Sequence, residues 1–165
     1  MSLAGIEQRR PMTRHHPLFV RLVKAGTTAH VAFYRLLRGN IPHPFLGRHC
    51  ILVTTTGRRS GRRHTMPLLF VRDGGDYVVV GSWGGSDSAP HWYRNLRADP
   101  RVMVEDRGRT TPAVAIEVDD AQEYARLWAR LAAIYPAYKT YRKQTSRRLP
   151  IVRLSPAGEQ HHDRS

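Results

Sequence analysis

A chain of 165 residues with 41% hydrophobic and 24% charged residues has the size and composition of one globular domain, which excludes a disordered or fibrous protein. Its formal charge of +14 is lopsided: residues 1–72 hold 13 Lys/Arg against the single acid Glu7, whereas residues 73–165 hold 14 against 12. The basic half therefore faces something anionic, and the lone Cys50 excludes an internal disulfide or a thiolate metal cluster.

Residues 1–16 read as a flexible basic N-terminus, with no apolar stretch of the kind a signal peptide needs. From Pro17 to Arg38, Leu18, Leu22, Val23, Ala29, Phe33, Leu36 and Leu37 recur at helical spacing, with Arg21, Lys24, Arg35 and Arg38 among them. That is an amphipathic helix, or two short ones broken at Gly26-Thr27-Thr28. It either packs on the core or rests on anionic lipid. No apolar run is long enough to span a bilayer. The expectation is a cytoplasmic protein, with the inner face of the plasma membrane as the alternative for its basic helix.

Beyond the connector Asn40–Phe45 the pattern shortens to strands: 50–56, 66–72, 76–82, 101–106, 112–118 and 149–154. Asp73-Gly74-Gly75-Asp76 marks a hairpin turn. A short helix fits residues 88–100, with Ser88 as N-cap and Pro90 in its first turn. A longer one fits Asp119–Ile134, capped by Asp119 or Asp120, with Tyr124, Leu127, Trp128, Leu131 and Ile134 on one face. Six strands with few helices predict a mainly β domain with flanking helices over residues 17–156, its sheet closed into a small barrel and followed by a tail at 157–165.

Three segments carry chemistry. "TGRRSGRRH" between two strands suits an anion: Gly57 and Gly61 let the backbone turn its N–H groups to one side, and Ser60, Arg58, Arg59, Arg62 and Arg63 add side-chain donors. It equally fits a solvated hairpin tip, and it is neither a Walker loop nor a Rossmann turn. "GSWGGSDSAPHW" places glycines after a strand and before a helix N-terminus, where backbone can approach a flat ligand. Tyr135, Tyr138 and Tyr141 recur every three residues and form either core or an aromatic wall. No histidine set has metal-ligand spacing, and no nucleophile elbow occurs.

Taken together, "LVTTTGRRSGRRHTMPLLFVRDGGDYVVVGSWGG…PHWYRNLRADPRV…YPAYKTY…LPIVRLSP" resembles the deazaflavin-dependent nitroreductases over roughly residues 50–156. The resemblance implies a split β-barrel, similar to flavin mononucleotide-binding barrels, that uses the reduced 8-hydroxy-5-deazaflavin coenzyme F420. It implies that Arg58, Arg59 and Ser60 grip the coenzyme's phosphate and oligoglutamate tail, with His64 where relatives commonly carry arginine. It implies that Met66, Pro67, Leu68, Ser82, Trp83, His91, Trp92 and Asn95 flank the ring, Trp83 standing where well-known members have lysine. Tyr138 lies against the coenzyme and, with Tyr135, Tyr141 and Ser82, lines the pocket of the oxidant: a quinone, enone or nitroaromatic, a membrane quinone included. No single catalytic residue is implied. The rival readings are a barrel holding flavin mononucleotide or haem, and a nucleic-acid-binding barrel. The aromatics sit apart from the basic segments, which disfavours nucleic acid.

Overall fold

The computed structural model describes residues 31–32 and 49–157. The expected flexible terminus, nearly all of the helix over 17–38 and most of the tail lie outside them. Seven strands form one sheet: β1 (Cys50–Thr56), β2 (Arg63–Leu69), β3 (Val71–Asp73), β4 (Asp76–Val80), β5 (Arg101–Asp106), β6 (Arg109–Glu117) and β7 (Ile151–Pro156). Their spatial order is β2-β1-β5-β6-β7-β4-β3, with every pairing antiparallel. β2 and β3 occupy opposite edges of the sheet, yet only Phe70 separates them in the chain. The sheet must therefore curl until its two edges meet at that residue, which makes it the predicted split barrel.

Alternation along the strands sorts side chains between two cores. Ile51, Val53, Val79, Val104, Val152 and Leu154 point into the barrel, where Trp92, Tyr93 and Leu96 close one end. Val78, Val80 and Ile151 point outward beneath a helical layer. β1 is buried on both faces, because Cys50 and Leu52 pack with Leu69 on its other side. This is why its sequence reads as a continuous apolar run. Cys50 is fully buried, and burial pushes its thiol up to about 11, so it behaves as a small hydrophobe rather than a nucleophile.

Among the described residues, Val31 and Ala32 are helical and three helices are described in full: α1 (His91–Ala98), α2 (Ala121–Ile134) and α3 (Ala137–Lys143). Asp120 caps α2, its Oδ1 accepting from the Glu123 N–H at 2.7 Å. The expected face of α2 is the one that packs: Tyr124, Leu127 and Leu131 are buried among Val78, Val80 and Ile151, with Trp128 and Ile134 at the margin.

Several boundaries differ from the sequence reading: the strand expected over 76–82 ends at Val80, and the one expected over 112–118 runs over Arg109–Glu117. The strand expected over 66–72 begins at Arg63 and is broken at Phe70, where the chain crosses from one sheet edge to the other. The last strand runs over 151–156 rather than 149–154. Pro90, not Ser88, stands at the N-cap of α1, because Ser88 is drawn into the preceding turn by its N–H bond to Ser86 Oγ at 3.3 Å. After the break at Pro136 the chain resumes helix as α3, which gives Tyr138 and Tyr141 a rigid support.

The β3–β4 hairpin is tied to α2 and β7 by charge. Asp73 accepts from Arg126 at 2.7 and 2.9 Å and from Arg130 at 2.6 Å, while Arg153 bridges Asp73, Asp76 and Glu123. The Arg126 hydrogen bonds, followed by those of Arg153, hold the Asp73 carboxyl well below its ordinary 3.8. A carboxylate whose folded pKa is depressed contributes stability above its unfolded pKa and loses it as pH falls towards the folded value. Unfolding free energy is therefore expected to drop more steeply between roughly pH 5 and pH 2 in the wild type than in Asp73→Asn. Denaturant titrations giving equal slopes would refute that assignment.

Candidate functional site

The basic segment becomes the tip of the β1–β2 hairpin, closed by the pair Thr56 and Arg63. Gly61 takes a left-handed φ of 64°, which suits glycine, and its N–H donates to the Gly57 carbonyl at 2.8 Å. The Ser60 N–H donates to the same carbonyl at 3.2 Å, and the Gly57 N–H to the Arg62 carbonyl at 2.8 Å. The Arg58 N–H donates to Asn95 Oδ1 at 3.3 Å. This corrects the expectation that the loop presents its backbone N–H groups to an anion. Those of Gly57, Ser60 and Gly61 are bonded inside the loop and that of Arg58 to α1, while the side chains of Arg58, Arg59, Ser60, Arg62, Arg63 and His64 are exposed.

Asn95 braces this loop. It is 4% exposed on α1, and its Oδ1 accepts from both the backbone and the guanidinium of Arg58 at 3.3 Å. Its Nδ2 donates to Thr55 Oγ1 at 3.2 Å, and that hydroxyl donates to the His64 carbonyl at 3.5 Å. One buried amide thus joins the hairpin tip to the sheet. His91 begins α1 on the same side. Burial lowers its pKa, and Arg94, Arg58, Arg59 and His64 lower it further, so the charges acting on it are all positive. A helix N-terminus without a side-chain cap adds its partial positive charge there.

Next to this basic face lies a cleft of about 250 Å³. Met66, Pro67, Leu68 and Leu69 of β2 form one wall, with Val80 and Trp92 behind. Ser82, Trp83 and Gly84, from the turn after β4, form a second wall, and Tyr135, Tyr138 and Tyr141 a third. The structure thus gathers nine residues singled out from the sequence: Met66, Pro67, Leu68, Ser82, Trp83, Trp92 and the three tyrosines. Arg58, Arg59, Ser60, His64, His91 and Asn95 do not line the cleft; they make up the adjoining basic face and its support. Leu69 and Val80 were missed, since nothing in a strand's alternation shows which residues face a cavity, whereas Gly84 belongs to the glycine stretch already singled out.

The tyrosines form an aromatic wall as the spacing allowed. Their ring centroids lie 4.9 Å apart for Tyr135 and Tyr138, 6.1 Å for Tyr135 and Tyr141 and 6.4 Å for Tyr138 and Tyr141. The Tyr135 and Tyr141 hydroxyls are 3.2 Å apart. That hydrogen bond, with burial, pushes Tyr135 up to about 12, and burial drives the Tyr138 phenol far above the usual range. Tyr135 and Tyr138 are therefore protonated at neutral pH. In a two-hydroxyl pair one O–H donates to the partner, and the accepting hydroxyl keeps a proton for a third group.

A split barrel with a phenol-walled apolar cleft beside a guanidinium-rich hairpin is the architecture of a small domain able to take a flat ligand. The chain matches the F420H(2)-dependent quinone reductase family over residues 27–156, and it belongs to that family. An F420H(2)-dependent quinone reductase of Mycobacterium tuberculosis is 35% identical over 129 residues, covering 76% of this chain and 87% of that protein. A second, putative F420H(2)-dependent quinone reductase of that organism is 32% identical over 64% of this chain and 88% of its own length. Among solved structures, an F420-H2 dependent reductase, FDR-A, superposes with a TM-score of 0.59 at 34% identity, over 64% of this chain and 93% of that one. A structure described as a domain-swapped dimer gives 0.62 at 29% identity, over 82% and 98%. The protein is accordingly an F420H2-dependent oxidoreductase, with coenzyme F420 as its cofactor. A haem storage protein of Vibrio cholerae shares the fold at 18% identity and a TM-score of 0.50, which supports the architecture but not the haem reading.

Proposed function

We propose that this protein passes a hydride to a quinone bound in the aromatic cleft, with Arg58, Arg59 and Arg62 holding the coenzyme's anionic tail. The observation that carries the reading is the juxtaposition of a cleft walled by apolar and aromatic side chains with a hairpin whose cations surround the start of α1. When bound there, coenzyme F420 supplies two-electron hydride donation. The residues fit such a group: guanidinium forks suit phosphate and carboxylate, and the cleft suits a flat ring.

Each wall has a task. Met66, Pro67 and Leu68 exclude water and present an apolar face to the ring. The tyrosine wall offers a stacking surface for a planar acceptor. The hydroxyl of the Tyr135–Tyr141 pair that accepts within the pair retains an O–H directed elsewhere. A quinone oxygen gaining negative charge would take that hydrogen bond, and the raised pKa of Tyr135 keeps that phenol protonated at neutral pH. Enones and nitroaromatics, also flat electrophiles, are weaker acceptors in this reading.

The acceptor class bears on location. Many quinones partition into lipid, and Arg21, Lys24, Arg35 and Arg38 favour an anionic membrane surface. The reading therefore includes peripheral association through the basic segment at 17–38. Among the described residues no helix is long and apolar enough to cross a membrane.

A stopped-flow assay tests the proposal. Reduced coenzyme F420 is mixed with the protein and a naphthoquinone, an enone or a nitroaromatic, in buffer and with anionic vesicles. The expected result is fastest oxidation by the quinone, with the coenzyme binding more tightly than about 10 μM. Absence of quinone reduction despite coenzyme binding overturns the acceptor assignment. A vesicle-independent rate with a lipid-soluble quinone overturns the membrane extension alone.

A further inference from the structure

The turn after β4 is unusual in its backbone. Trp83, Gly84 and Gly85 have φ of 45°, 60° and 77°, three consecutive residues in the left-handed region. Glycine occupies that region at no steric cost, whereas an indole-bearing residue rarely does. Strain of this kind persists only where the surroundings impose it.

The imposing group is Arg147, on the segment between α3 and β7. Its Nε–H donates to the Ser86 carbonyl at 2.8 Å, and a terminal N–H to the Ser82 carbonyl at 2.9 Å. One guanidinium thus grips the turn on both sides of Trp83. The other terminal nitrogen is buried without a hydrogen-bond partner among the described residues, and burial lowers the group's pKa. The site accepts an uncomfortable cation to keep this grip. Two further contacts lock the turn to the tyrosine helix. The Thr145 hydroxyl donates to Asp87 at 2.7 Å. A Cβ on Gly85 would fall 2.7 Å from Gln144 Oε1 and 3.0 Å from the Tyr141 backbone.

Trp83 and the tyrosines line one cleft, the Trp83 turn packing beside the tyrosine helix. We infer that Arg147 is a positioning residue for acceptor selectivity: by clamping the Ser82 and Ser86 carbonyls it holds Trp83 in its left-handed conformation, so that the indole narrows the cleft against bulky acceptors. The acceptor part rests on the proposed quinone reduction; the clamp stands without it. On release, Trp83 relaxes to an ordinary negative φ and the mouth widens.

Two readouts test this in the full-length protein. In Arg147→Met, amide hydrogen exchange at Gly85 and Ser86, whose N–H groups close the turn, is expected to accelerate roughly tenfold, with barrel amides unaffected. The ratio of KM values for a tricyclic over a monocyclic quinone is expected to fall at least about fivefold, a change of the size that one pocket side chain makes. Trp83→Gly removes the indole and the strain together, so it should lower the same ratio while leaving the turn amides protected. If Arg147→Met does not fold, Arg147→Lys, which reaches one carbonyl at a time, shows both effects at smaller amplitude. Unchanged exchange in the folded Arg147 variant overturns the clamp. Faster exchange with an unchanged KM ratio overturns the selectivity role. A protein that reduces no quinone yet shows the exchange effect overturns only the function on which that role rests.

Discussion

Replacing Arg58 and Arg59 together with alanine is expected to weaken binding of coenzyme F420 by about a hundredfold. A charge-assisted hydrogen bond contributes about 1.5–3 kcal/mol, and for exposed groups the lower figure applies, so two of them lost is about two decades of affinity. The loop itself should survive. The Arg58 N–H bond to Asn95, at 3.3 Å, is made by the backbone and remains in the alanine variant, as do the bonds of the Gly57, Ser60 and Gly61 N–H groups. The Arg58 guanidinium bond to Asn95 goes with the side chain, but these backbone bonds keep the loop's shape, so the loss is chiefly of charge. A deazaflavin lacking the phosphate and glutamates provides the control: its affinity should not change, because the proposed ring site is built from other segments. The double variant should also lose less affinity with added salt, two exposed cations having been removed. Isothermal titration at two ionic strengths measures both effects. If the double variant binds the full coenzyme as tightly as wild type, the tail is anchored elsewhere and the proposed role of this hairpin is wrong.

Leu131→Ala should be the most damaging single truncation for stability, costing about 2–5 kcal/mol. Leu131 is fully buried between α2 and the outer face of the sheet, in the cluster that holds Val78, Val80, Leu127 and Tyr138. The site cannot easily collapse around the missing methyls. Asp120 caps α2 at one end, and Arg126 and Arg130 pin its flank to Asp73. A helix held in this way cannot sink into the cavity, which favours the upper part of the range. A loss of about 3 kcal/mol lowers the melting temperature of a domain this size by roughly 10 °C. The same cluster supports Tyr138 from behind, so the cleft's phenol wall should loosen with it. Denaturant unfolding showing a loss below about 1 kcal/mol would mean that this layer contributes little to the fold.

Local chemistry made much of this molecule legible from its sequence. The apolar run of β1, the Asp-Gly-Gly-Asp turn, the Asp120 cap and the face of α2 each depend on residues within a few positions of one another, where period and capping rules act. The family motifs pointed to the coenzyme and to the residues now seen around the cleft. Long-range pairing had to wait for the tertiary structure. Nothing local shows that β2 and β3 lie at opposite sheet edges, or that Phe70 must therefore carry a bend. The Arg58 N–H of the basic loop looked free for an anion until the fold brought Asn95 to it from 37 residues away. Arg147 had no motif at all, because its partners are backbone carbonyls 61 and 65 residues earlier, and a carbonyl leaves no mark in a sequence. Side-chain period and turn chemistry are written along the chain, whereas cavities and buried donors come from segments that meet only when the sheet closes.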